Sequence, residues 1–171
     1  MNNDISYNEN KQCKQEIENF INHISNIDFL KLDLKQYDCD FFAFISKHIL
    51  FFKYLNLTDL ENNYLKTIIS DFYYYIISIL KDEIRYMYLN ERSILENYTR
   101  LITKTSINSD HVTQNSFDAL KTFSNNLGYD ISEYSLLHSE YTTSCGYVHG
   151  SEKLTHALSY VFDDCINIQH K

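Results

Sequence analysis

The sequence predicts an all-α helical bundle, and three observations carry that prediction. The chain has 171 residues with no proline and only three glycines. It therefore lacks the turn residues that a sandwich or barrel needs. Apolar residues recur three and four apart along most of the chain, which is the period of a helix. Two segments, Thr58-Asp59-Leu60-Glu61 and Asp130-Ile131-Ser132-Glu133, read as capping boxes. In each, an N-cap oxygen takes the amide three residues on and the glutamate reaches back.

The elements follow in order. Residues 1–9 read as a flexible polar lead. A first helix is expected from about 10 to 27, with Ile17, Phe20, Ile21, Ile24 and Ile27 on one face. A polar corner fills about 27–36. A second helix, about 39–55, carries Phe41, Phe42, Phe44, Ile45, Ile49, Leu50 and Phe52. It is apolar on most faces, which predicts a central position. Thr58 should cap a long third helix, about 59–88, whose seam is Ile68, Ile69, Phe72, Tyr75, Ile76, Ile79 and Leu80. A bend is placed near Asn90, which would cap a segment from about 91 to 103. A polar loop covers about 105–114. Ser116 starts a short helix to about Asn126, and Gly128 stops it. The Asp130 box opens a helix from about 131 to 149. Gly150 is its expected C′ residue, and Ser151 caps a last helix, about 152–169. Leu154, Ala157, Leu158, Val161, Phe162 and Cys165 form the buried stripe of that helix. With no internal repeat and no linker composition, residues 1–171 read as one domain.

Composition narrows the function. The formal net charge is −8 and the pI is near 5.3, whereas a general nucleic-acid binder is basic. Any RNA contact would be local or assembled between copies. The most hydrophobic stretch, 41–55, is interrupted by Lys47, His48 and Lys53, so no membrane span is expected. The polar start gives no signal peptide. Cys13, Cys39, Cys145 and Cys165 show no paired spacing, which points to reduced thiols and a cytoplasmic protein. The 15 tyrosines and 11 phenylalanines read mainly as helix-packing residues.

Two stretches concentrate chemistry. Residues 141–151, Tyr-Thr-Thr-Ser-Cys-Gly-Tyr-Val-His-Gly-Ser, hold two of the three glycines and place Tyr147, His149 and Ser151 at a helix corner. A histidine there is either a group that exchanges protons near neutrality or a C-terminal cap beside the negative end of the helix dipole. All three arginines, Arg85, Arg92 and Arg100, fall within sixteen residues. Arg92, Glu96 and Arg100 are spaced four apart and form one ladder on a helix. It is either a solvated ion-pair ladder or an arginine held by Glu96 and aimed into a cleft, where a guanidinium stabilises phosphate. Cys145 and His149 have zinc-compatible spacing, with His138 three turns back, but no second ligand pair accompanies them. Cys145 with His149 also has the spacing of a cysteine nucleophile and its base. No glycine-rich phosphate loop or dinucleotide fingerprint is present, so no cofactor is implied.

The helix reading Arg92-Ser-Ile-Leu-Glu96-Asn-Tyr98, followed later by Tyr147-Val-His149-Gly-Ser151, resembles prokaryotic HEPN-type helical proteins of abortive-infection and toxin–antitoxin systems. The resemblance covers about 58–171. It implies a helical bundle that works as a homodimer, with a metal-independent ribonuclease site built on an Arg and, four to six residues further on, a His. His149 matches that His. The Arg would stand at Thr142, Thr143 or Ser144, and none of these is arginine. Two expectations follow. Either Arg92 supplies the cation, with Glu96 orienting it and Tyr147 and Ser151 donating hydrogen bonds, or the site is degenerate and the domain binds a partner protein such as an antitoxin or defence component.

Overall fold

In the computed structural model the described residues are 2–27, 33–60, 62–103, 114–128 and 131–149. They form six α-helices, and among them there is no strand. The helices are α1 (Asn2–Ser25), α2 (Gln36–Thr58), α3 (Asn63–Leu80), α4 (Ile84–Thr103), α5 (Gln114–Asn126) and α6 (Ile131–His149). The expected last helix, its stripe, and the loop 105–113 lie outside the described residues, as do Glu61, Asp130, Gly150 and Ser151. The chain divides into two compact units at Asn62–Asn63.

In the first unit, α1 packs against α2. The three-and-four spacing on α1 holds: Ile24 is buried, and Ile17, Phe20, Ile21 and Ile27 are half-buried. The helix begins at Asn2, so the residues expected to form a flexible lead are helical from Asn2 onward. On α2, Phe42, Ile45, Ile49 and Phe52 are buried. The central position expected for α2 is corrected, because Tyr37, Phe41, Phe44, Phe51, Tyr54 and Leu57 are exposed. Its start is fixed by Asp38, whose carboxylate accepts the Lys35 amide at 2.8 Å. Thr58 does not cap a following helix. It is the last residue of α2, and its hydroxyl donates to the Leu55 carbonyl at 2.7 Å. A threonine one turn from a free carbonyl can satisfy that acceptor as readily as it can cap.

In the second unit, α4 packs against α3, α5 and α6, and α5 packs against α6. The α3 seam is as expected: Ile68 and Ile76 are buried, while Ile69, Phe72, Tyr75, Ile79 and Leu80 are half-buried. The break between the two long helices falls at Lys81–Glu83 and not near Asn90. Glu83 N donates to Ser78 O at 2.8 Å and Asp82 N to Ile79 O at 3.1 Å. That pair of bonds is a Schellman ending, with Asp82 at C′ and φ of 56°. Aspartate tolerates this left-handed region better than most residues, so the helix stops without a glycine. Asn90 lies inside α4, where its side-chain amide donates to Ser78 Oγ at 3.2 Å and ties α4 to α3. Gly128 follows α5 with φ of 78°, the stop that its sequence predicts. Phe117 and Leu120 of α5 are buried beside Ile102 of α4 and Tyr134, Leu137 and Tyr141 of α6. This cluster anchors α6 against α4.

Candidate functional site

Helix periodicity puts Tyr141, Cys145 and His149 on one line of α6, and Tyr88, Arg92 and Glu96 on one line of α4. Where the two helices pack, the lines meet. Arg92 Nη1 donates to His149 Nε2, although the two residues are 57 positions apart. Arg92 Nε donates to Glu96 Oε1 at 2.8 Å. Tyr141 donates its hydroxyl to the same oxygen at 3.3 Å. The other Glu96 oxygen stands 4.0 Å from Arg100 Nη2. The Arg92 guanidinium also lies 6.0 Å from the centre of the Tyr141 ring, within cation–π range.

The Arg92–Glu96–Arg100 ladder is not a solvated surface feature. The side chains of Arg92, Glu96 and Arg100 are 21 %, 17 % and 18 % exposed. Burial disfavours the Arg92 charge, but the hydrogen bond and the charge of Glu96 outweigh it and raise its pKa above the ordinary value. Burial, the Cys145 thiol and Glu96 push the Tyr141 phenol up. It therefore stays protonated and keeps donating to Glu96. One carboxylate thus fixes both the cation and a phenol.

A second group flanks the same seam. Tyr88 of α4 and Tyr147 of α6 are stacked, with ring centroids 3.9 Å apart and planes 8° from parallel. Beside them stand Tyr75, Glu91 and Glu140. Burial, and then the neighbouring Glu140 carboxylate, push Glu91 up to about 7. Burial, and then Glu91, push Tyr75 up to about 12. Between the two groups, Ser144 is fully buried and donates its hydroxyl to the Tyr141 carbonyl at 2.9 Å.

Of the residues singled out from sequence, the fold brings Arg92, Glu96 and His149 together. Tyr147 lies one flank away, on Tyr88, and Ser151 is outside the described residues. His138 is not with His149; it sits edge-on to Phe117 at 5.2 Å. Cys145 is engaged with Tyr141. Among the described residues no group of three or more His, Cys, Asp or Glu is placed to hold a metal ion. Among them also, no helix is long and apolar enough to cross a membrane. Tyr141, Tyr88 and Glu91 were not singled out by sequence. The signal for the first two was there: Tyr141 is two four-residue steps before His149, and Tyr88 is one step before Arg92. No family model matches the chain, and no curated protein and no solved structure matches it either.

Proposed function

We propose that the chain is a HEPN-like, metal-independent endoribonuclease of a phage-defence or toxin–antitoxin system. In this reading it is cytoplasmic and acts as a homodimer. The observation that carries the proposal is the Arg92–His149 contact, with Arg92 held from behind by Glu96. Arg92 on α4 supplies the cation that the family motif would place at Thr142, Thr143 or Ser144. Cleavage by the RNA's own 2′-hydroxyl needs a base for that proton, a cation on the scissile phosphate and an acid for the leaving 5′-oxygen. His149 Nε2 faces the cation, which places the imidazole to take the 2′-proton. The 2′-oxygen then bonds to phosphorus, the bond to the 5′-oxygen breaks, and that oxygen takes up a proton. The products are a 2′,3′-cyclic phosphate and a 5′-hydroxyl. In a two-fold dimer the second His149 is available as the acid.

The test is cleavage of RNA by the purified chain in EDTA, with the ends of the products identified. His149→Ala should lower the rate by at least ~10²-fold, the low end for a positioned proton-transfer group, with helix content unchanged. Arg92→Lys should not restore an Arg92→Ala loss, because an ammonium cannot hold Glu96 and face His149 with a planar fork. Wild-type protein that leaves RNA uncut sinks the enzyme reading, and a clean monomer in light scattering removes the dimer.

The runner-up is a catalytically silent module that binds a partner protein. One observation favours it: the exposed aromatic side of α2, with Tyr37, Phe41, Phe44, Phe51 and Tyr54, is a patch of the kind that marks interaction sites. Phe44→Asp combined with Phe51→Asp should then abolish partner capture while leaving the Arg92–His149 site untouched.

A further inference from the structure

We propose that the Tyr88–Tyr147 stack is a nucleobase platform, and that the substrate is unpaired RNA with one base laid on Tyr147 and its phosphodiester at Arg92 and His149. This rests on the ribonuclease reading of the site and names its substrate class. Three observations and one property of paired bases support it. First, both pairs join the same two helices at the same place. Tyr88 and Arg92 are one turn apart on α4, and Tyr147 and His149 share the last turn of α6. Neighbours four apart on a helix are about 5–6 Å from one another, so the Tyr88 ring on which Tyr147 is stacked is the neighbour of Arg92 on α4. Second, Tyr147 is 50 % exposed although one of its faces is covered by Tyr88. A large half-exposed ring backed by a second ring offers a flat surface at low ordering cost.

Third, the charge balance excludes the usual way of holding RNA. The chain carries −8 overall, and Glu91 and Glu140 stand close to the tyrosines. A track of phosphates would be repelled there. Stacking needs no positive surface, and every base has a π face. Fourth, a paired base is stacked within its own helix and cannot lie on a side chain, whereas bases in loops and single strands can. The platform therefore selects unpaired RNA. Arg92 touches the phosphate and Tyr147 positions the nucleotide by its base.

The experiment measures binding and not turnover. A fluorescein-labelled single-stranded RNA is titrated by anisotropy with the full chain carrying His149→Ala, so that it stays intact. Adding Tyr147→Ala should weaken binding about 5- to 150-fold, the range that ~1–3 kcal/mol per stacked base gives. Tyr147→Phe should keep the affinity, since the ring is retained, and Tyr147→Leu should lose it at equal helix content. The same RNA annealed to its complement should bind no better than to Tyr147→Ala. Affinity should fall only shallowly with salt, with a slope near the roughly −0.7 of a single neutralised phosphate. Equal affinity for the Tyr147→Ala protein, or equal binding of the duplex, overturns the platform even if wild type cuts RNA. Tyr147-dependent binding without any cleavage by wild type keeps the platform and overturns the ribonuclease. No binding of either RNA overturns the platform, and no binding together with no cleavage by wild type overturns both.

Discussion

Glu91→Gln replaces a carboxylate that the fold holds in an unfavourable place. Burial is the main cause, and the Glu140 carboxylate adds to it, so Glu91 titrates at about 7 in the folded chain against 4.5 in its ordinary state. The folded protein therefore holds this proton more tightly than the unfolded chain. Below the ordinary value both states are protonated and Glu91 costs nothing. As pH rises from about 4.5 to 7 the unfolded chain gives up the proton first, and stability falls. Above about 7 the full cost is present. A difference of this size corresponds to about 3 kcal/mol for a fully buried group, and solvent screening of a half-buried one leaves about 1–2 kcal/mol. Glutamine keeps the shape without the charge. We expect Glu91→Gln to match wild type near pH 4.5 and to exceed it by about 1–2 kcal/mol at pH 8. Urea unfolding followed by the helical far-UV signal at several pH values reads this directly. The difference between the two curves isolates Glu91, because every other titrating group is common to both proteins. Two parallel stability profiles would refute the buried-carboxylate account.

Glu96→Ala should destabilise by roughly 1–3 kcal/mol, because it strands the Arg92 and Tyr141 donors in a mostly buried site. A double-mutant cycle with Arg92→Ala should show coupling above about 0.5 kcal/mol, and additive losses would reduce Glu96 to a surface residue. Asp82→Gly should stabilise by about 0.5–1 kcal/mol, since Asp82 sits at φ 56°. Asp82→Val should cost about 1–2 kcal/mol, and equal melting of the two variants would contradict the Schellman ending. Gly146→Ala should stabilise α6 by about 0.5–1 kcal/mol, because Gly146 lies within the helix and an added methyl meets nothing within 4 Å. A loss in thermal melting would mean that the last turn of α6 is not helical in solution.

The helices were legible wherever the period and the stop signals agreed. The α6 limits, 131 to 149, match the expected ones, and Gly128, with φ of 78°, follows α5 where the sequence places its stop. The misplaced breaks share one cause, which is that polar side chains carry more than one use. Thr58 satisfies a carbonyl behind it and leaves the next helix uncapped. Asp82 does at C′ what sequence reading assigns to glycine, while Asn90, the better cap on paper, spends its amide on Ser78. The α2 helix was misread differently. Aromatic residues all round a helix predict burial all round, yet only the line Phe42, Ile45, Ile49 and Phe52 is covered.

For the site, spacing alone found Glu96 beside Arg92, because the four-residue step is local. The Arg92–His149 contact spans 57 positions, and no local rule sets the register between α4 and α6. That register comes from packing. Phe117 and Leu120 fill the space between Ile102 on α4 and Tyr134, Leu137 and Tyr141 on α6, and Ser144, with no exposed surface, permits close approach at the seam. Once Ser144 faces α4, Tyr141, Cys145 and His149 must fall to one flank and Glu140 and Tyr147 to the other. The same step explains why a small residue stands at position 144. A guanidinium on that buried line would force the helices apart, whereas Arg92, reaching across from α4, meets His149 at the open end of the seam.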